Sequence, residues 1–369
     1  MRELEEKQER LVRAAKESGL DGVLLATHHN IAWLTGGRSN RVDASREIGT
    51  ARLLVTADGR RFVLGNAIEM PRLVDEVLGG LDFHPIGYAW TDDQDPACAV
   101  SAARNVAGDA LGSDWSLPGT VPFEPQIARA RALLIQPEID RYRALGADAG
   151  RVVGDVCRAL VPGQTEREIA VSFVHAIAAV KARAIVTLVG SDERIRRYRH
   201  PVATDAPWRD VVLVAVGAER DGLIVSLSRI VATAAGAAAI ESITVKTASV
   251  FARLLDSTRE GTSGAQLFEA ASAGYCEVGV PGEERHHHHG GPAGYRSREW
   301  IAHPRSQELV QARQAFAWNP SITGTKVEDT VLLRDGQLES ITLTKGWPSI
   351  RIEAQGQVIE TPAVLTIDM

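Results

Sequence analysis

Downstream of Pro137 the apolar residues Ile139, Tyr142, Leu145, Ala149, Val152, Val156 and Leu160 return at steps of three and four. A helix with about 3.6 residues per turn puts such a series on one face. The second half of the chain therefore opens on a long amphipathic helix whose apolar stripe must be covered. Pro162-Gly163 ends it, and Thr165 with Glu168 forms a capping box for a following helix through Ile169, Phe173 and Ile177. Strand-like segments at Val211–Val216 and Leu223–Val231 flank Asp221-Gly222, a tight-turn pair because glycine tolerates positive φ. A third helix is expected over Gly264–Glu277. It leads into a His/Gly-rich stretch, Gly282–Gly294, and then short strands with turns such as Asp335-Gly336 and Gln355-Gly356.

The first third reads as a separate α/β unit. Leu4, Leu11, Val12 and Ala15 mark one helical face, Gly19 and Gly22 stop it, and Val23–Ala26 is a short apolar strand. Arg52–Thr56 and Arg61–Leu64 flank the hairpin signal Asp58-Gly59, and helical patterns follow at Ile68–Leu78 and Ala97–Val106. The Gly- and Pro-rich segment Gly108–Gln126 breaks the pattern, which places a domain boundary near residues 120–137. With 369 residues the core needs no disulfide or metal for stability. Lys plus Arg number 41 against 47 Asp plus Glu, a net charge of −6 that disfavours nucleic acid as a partner. Cys98, Cys157 and Cys276 are too few and too far apart for a disulfide framework or a cysteine zinc cluster. Met1–Lys16 is charged and amphipathic, and no later stretch supplies about 18 uninterrupted apolar residues. The expectation is a cytoplasmic protein with neither signal peptide nor membrane span.

Near the end, Gly324–Leu332 reads Gly-Thr-Lys-Val-Glu-Asp-Thr-Val-Leu, and Asn30-Ile-Ala-Trp-Leu-Thr-Gly36 stands near the start. Between them run a helix pair, the His200-Pro201 strand start, a two-strand ladder, another helix, the His/Gly loop and Asn319-Pro320. In this order the chain resembles the creatinase, aminopeptidase P and methionine aminopeptidase family. The resemblance implies an α/β (α+β) protein, with a creatinase/prolidase-like N-terminal domain over residues 1–130 and a pita-bread catalytic domain over residues 137–369. It also implies a homodimer in which one subunit's N-terminal domain helps to close the other's pocket, giving Trp33, Arg38 and Arg41 a place at the substrate.

Peptidases of that family hold two divalent ions with two aspartates, one histidine and two glutamates. Carried onto this chain, the aspartates fall at Ala215 and Ser226, the first glutamate at Asn319, and only Glu328 is kept. For the ligand histidine the resemblance leaves two places open, within His286–His289, slightly upstream of the usual position, or at Gly291. Replacing three carboxylates removes about three negative charges that hard divalent cations need. The expectation is thus a cofactor-free, metal-independent hydrolase or lyase that cleaves a carbon–nitrogen bond in a small polar substrate, as creatinase does without metal.

Within that reading His200 handles the proton, because an imidazole both takes up and releases protons near neutrality. Glu328 orients water or a cationic nitrogen, the alternative being a glutamate paired with Lys326 or Arg229. Glu299 is a further catalytic candidate or a salt-bridged carboxylate. Were His286–His289 an extended strand, alternate rings would share a face, so His287 and His289 are assigned to the substrate. Arg199, Asn319 and Ser226 complete the binding set, and the arginines suggest a carboxylate on the substrate. Two alternatives stay open: an Xaa-Pro-type metallopeptidase with an unusual His-rich metal site, and a non-catalytic pita-bread protein that binds a small molecule or peptide.

Overall fold

In the computed structural model, which describes residues 2–354 and 357–368, the chain divides into two units, residues 1–138 and 139–369. The first opens with α1 (Arg2–Glu17), which buries Leu4, Leu11 and Ala15 as its apolar spacing requires. There follow β1 (Gly22–Thr27), α2 (His28–Thr35), β2 (Ile48–Thr56), β3 (Arg61–Asn66) and α3 (Met70–Arg72), which runs into a wider helical turn at Leu73–Val77. β4 (His84–Tyr88), α4 (Cys98–Ala107), β5 (Leu111–Ser113), β6 (Val121–Pro122) and α5 (Glu124–Arg131) complete the unit. Its six strands lie in the order β4-β3-β2-β1-β5-β6. The segment 108–126, expected only to interrupt the pattern, thus supplies two short strands, β5 between β1 and β6, and β6 at the edge.

The Asn30 motif is part of this unit's interior. Asn30 Nδ2 donates to Asp114 Oδ2 at 2.9 Å and to Glu124 Oε2 at 2.6 Å, while its Oδ1 accepts from Arg131 Nη1 at 2.5 Å. Asp114 also accepts from the Ala26 and Thr27 amides, so one buried amide side chain ties α2 to β1, β5 and α5. Trp33 is fully buried and Gly36, at φ +70°, ends α2 in a conformation that costs glycine little.

The second unit contains α6 (Gln136–Arg158, whose first residues belong to the first unit), α7 (Glu166–Ala179), β7 (Arg183–Ser191), α8 (Glu193–Arg197), β8 (Val211–Arg220) and β9 (Leu223–Thr233). The capping box at Thr165 and Glu168 is formed, and Asp221 and Gly222 both take positive φ in the β8–β9 turn. Then come α9 (Ala234–Ser257), α10 (Gly264–Glu277), β10 (Gly290–Ala293), β11 (Ala315–Trp318), β12 (Ser321–Ile322), β13 (Thr325–Lys326), β14 (Asp329–Arg334), β15 (Gln337–Ser340), β16 (Ser349–Ala354), β17 (Gln357–Pro362) and β18 (Val364–Ile367). The expected turn residues Gln355 and Gly356 lie outside the described residues.

Two four-stranded sheets, β18-β9-β8-β7 and β10-β11-β14-β15, meet where Ser228 of β9 bridges to Glu328 just ahead of β14. Val250, Phe251 and Leu254 of α9 and Leu267, Ala271 and Tyr275 of α10 pack on Phe316, Trp318, Val331 and Leu333. α9 is a helix that the sequence reading passed over, although Ile240, Thr244, Thr247, Phe251 and Leu254 keep the helical step on its buried side. No helix among the described residues is long and apolar enough to cross a membrane.

Gly146, Gly150 and Gly154, one turn apart on α6, lie against the segment 341–344. A Cβ at Gly150 would come within 2.4 Å of the Leu343 carbonyl oxygen. Gly150→Ala is expected to lower the melting temperature by roughly 3–10 °C, because a backbone oxygen cannot step aside as a side chain can. An unchanged melting temperature would show that this contact relaxes freely.

Glu124 supports a second expectation. Burial alone would raise its carboxyl, but the hydrogen bond with His29, the Arg131 charge and Asn30 together bring it down to about 2. A folded-state value below the unfolded one stabilises above the unfolded value of roughly 4.3 and is lost as pH falls toward 2. Acid unfolding monitored from pH 5 to 2 should be less steep in Glu124→Gln, and identical pH profiles would contradict this account.

Candidate active site

β8 and β9 pair with Ala215 opposite Ser228 and Gly217 opposite Ser226, and β14 begins one residue after Glu328. The Ser228 amide donates to the Glu328 carbonyl at 3.0 Å, so the Glu328 side chain is delivered to the seam between the two sheets. There Ser228 Oγ donates to Glu328 Oε2 at 2.5 Å, Lys326 Nζ lies 3.3 Å from the same oxygen, and Arg298 Nη2 donates to Oε1 at 3.1 Å. Burial would raise this carboxyl, yet Lys326 and Arg298, with the Ser228 hydroxyl, hold it down at about 2. It is therefore an anion at any physiological pH. Neighbouring Asp329 has its own buried partner, Arg229, at 3.0 Å.

A cleft of about 140 Å³ opens on this cluster. Val186 and Leu188 of β7, Ala215, Val216 and Gly217 of β8, and Ser226 of β9 form one side. His200, His288, Ser297, Arg298, Asn319, Lys326 and Glu328 form the rest. His200 Nε2 and His287 Nε2 are 3.0 Å apart, the rings of His287 and His288 stack at 4.5 Å, and one ligand nitrogen from each of the three lies within 4.8 Å of the others. Burial, followed by the Lys326 charge, lowers the affinity of His200 for protons. Burial, then Lys326 and neighbouring imidazoles, depresses His287 to about 2. His288 falls to about 4 through burial, then Arg298 and Lys326. All three rings are neutral at pH 7 and have lone pairs to give.

The structure brings together His200, His287, Ser226, Asn319 and Glu328 from the sequence-derived set, and it adds His288, Arg298, Lys326 and Ser228. The histidine run is not a strand: it follows a short turn at Glu283–Arg285 and reaches β10 only at Gly290. Alternation therefore fails, and His287 and His288 lie side by side. His289 is buried between Phe268 and Tyr275, each 5.5 Å away, with neither ring nitrogen partnered. Arg199 turns to Ser321, Thr323 and Glu283, and Glu299 does not line the cleft. Trp33 has no surface to offer a ligand, whereas Arg38 is exposed and Arg41 half-buried in the first unit.

A cage for two divalent ions does not fit these residues. Among the described residues Glu328 is the one carboxylate lining the cleft, and two cationic side chains already occupy it. At Gly291, one of the two places the resemblance leaves for the family's ligand histidine, a Cβ would lie 2.1 Å from the Trp300 carbonyl oxygen, so a side chain there would force the backbone to shift.

Fold and cleft together define a pita-bread protein, and residues 140–358 match the metallopeptidase family M24, to which the chain belongs. The dipeptidase PepE from Mycobacterium ulcerans superposes with a TM-score of 0.77 at 20% identity, over 92% of this chain and 95% of that one. The prolidase from Pyrococcus horikoshii OT3 also gives 0.77, at 18% identity over 92% and 99%. The probable dipeptidase PepE of Mycobacterium tuberculosis (strain ATCC 25618 / H37Rv) is 26% identical over 220 residues, 55% of this chain and 56% of its own length, so the match spans about half of that relative. These findings overturn the expectation of a metal-independent hydrolase of a non-peptide carbon–nitrogen bond. The family is one of metallopeptidases, and the relatives are described as dipeptidases and prolidases. They favour instead the first alternative left open by the sequence, a metallopeptidase of the Xaa-Pro type; the three replaced carboxylates had weighed against it.

Glu328→Gln leaves Lys326 and Arg298 buried without a counter-charge. It is expected to destabilise the fold by roughly 3–5 kcal/mol, read from the denaturant midpoint at constant slope. A change within about 0.5 kcal/mol would show that Glu328 is dispensable to the fold.

Proposed function

We propose that the chain is a peptidase acting on dipeptides or other short peptides, with one divalent transition ion held by His200, His287 and His288. The observation that carries this reading is the convergence of three neutral imidazoles in the cleft of a metallopeptidase-family fold. Three imidazoles with an open fourth position suit zinc and its neighbours, whereas the family's carboxylate cage suits a pair of ions. When bound, such an ion supplies Lewis acidity toward a peptide carbonyl.

The chain's own residues do the rest. Val186, Leu188 and Val216 offer an apolar wall to a substrate side chain, and Ser226, Ser297 and Asn319 offer polar contacts. Glu328 is too firmly paired to take up a proton at neutral pH; its part is to hold Lys326 and Arg298 at the cleft. The names of the relatives support a dipeptide, with Xaa-Pro dipeptides as the first to try. Three unpaired cysteines support a reducing, cytoplasmic setting, and the reading includes a homodimer, to be checked by sedimentation.

The test is metal content of the purified chain alongside hydrolysis of Xaa-Pro and other dipeptides after chelation and re-addition of Zn²⁺, Mn²⁺ or Co²⁺. One retained ion per chain and metal-dependent cleavage are expected. His200→Ala, His287→Ala and His288→Ala should each weaken the ion by at least about tenfold. Failure to bind any of these ions, or cleavage indifferent to all three substitutions, would sink the proposal.

A further inference from the structure

The charges that line the cleft do not balance. Lys326 and Arg298 contribute two positive charges and Glu328 one negative charge. Asp329 cannot make up the difference, since it is buried against Arg229 and bonded to Thr342. The histidines add no negative charge in any protonation state. A cation withdrawn from water without a counter-ion is costly, so a cleft that keeps one unmatched is suited to an anion brought by a ligand.

Two details say where that anion sits. Glu328 receives Arg298 on Oε1 and Lys326 on Oε2, so the two cations straddle the carboxylate and both line the cleft. Neither is saturated. The Lys326 ammonium has three N–H groups to give and meets Glu328 Oε2 with one of them, and Arg298 Nε is buried with no partner.

We propose that Lys326 and Arg298 form a binding site for the carboxylate of a small monoanionic ligand, so that an anion takes the place where the family resemblance puts a pair of metal ions. Without a metal ion the surplus is one charge, which a carboxylate neutralises and a phosphate dianion overshoots. The apolar walls at Val186, Leu188 and Val216 favour a carboxylate carried on a small organic body over an inorganic ion. The choice of ligand rests on the peptidase reading, in which the carboxylate is a peptide's free C-terminus; the charge argument does not depend on it.

The experiment is calorimetric titration of the full chain, freed of metal by chelation, with N-acetylglycine, N-acetylglycinamide and inorganic phosphate. The acid should bind at least about tenfold more tightly than the amide, as a charge-assisted contact does over a neutral one, and more tightly than phosphate. Lys326→Met leaves a neutral Arg298–Glu328 pair and should abolish the preference for acid while the protein still melts cooperatively. Arg298→Met is the second variant should the first fail to fold. Equal binding of acid and amide, tighter binding of phosphate, no binding of the acid, or a preference surviving both substitutions would each overturn the proposal. Dipeptides with free and amidated C-termini, assayed on the same preparation, separate the two readings. Cleavage indifferent to amidation removes the carboxylate site alone, whereas acid preference without cleavage of any peptide removes the peptidase alone.

Discussion

One carboxylate organises the second half of this protein. Glu328 leaves the chain at the backbone bridge between Ser228 and itself, which joins the two four-stranded sheets, and it draws Lys326, Arg298 and the Ser228 hydroxyl onto its two oxygens. Each of these groups would be costly to bury alone, and together they are tolerated because the hydrogen bonds and opposite charges meet at close range. The seam of the sheets, the floor of the cleft and its positive potential all depend on that cluster.

The cluster also sets what a metal can do here. Ions bridged by Glu328 would have to displace two cations from it and would find Ala215, Ser226 and Asn319 where further anionic oxygens are needed. The imidazoles of His200, His287 and His288 stand apart from that contest. They are neutral for a physical reason, burial beside a lysine, and neutral imidazole is the form that ligates. The loop ahead of β10 folds His287 and His288 against His200, which brings three neutral ring nitrogens together beside the Glu328 cluster.

Local signals in the sequence were legible because they are enforced locally. Thr165 and Glu168 cap α7 as their spacing implies, Gly264–Glu277 is a helix to the residue, and Asp221-Gly222 makes the β8–β9 turn. Glu328 was visible inside its motif, and His200 beside Pro201. What could not be read were relations between segments far apart in the chain. Arg298 lies 30 residues from Glu328 and carries no motif, whereas Lys326, two residues away, was readable as a partner for Glu328 and is one. The His286–His289 run was misread because periodicity of two was assumed for a segment that is a bend and irregular chain between the Glu283–Arg285 turn and β10. The Asn30 motif shows the converse, since a segment whose likeness to larger relatives suggested a substrate role is buried with Asp114, Glu124 and Arg131.

Anomalous diffraction from crystals soaked in Mn²⁺ or Zn²⁺ tests most directly whether the chain's own cations have replaced the bridged ions. A single peak on the nitrogens of His200, His287 and His288, with Lys326 and Arg298 still on Glu328, is the expected result. Two peaks sharing the Glu328 carboxylate, with both cationic side chains driven off it, would contradict the account.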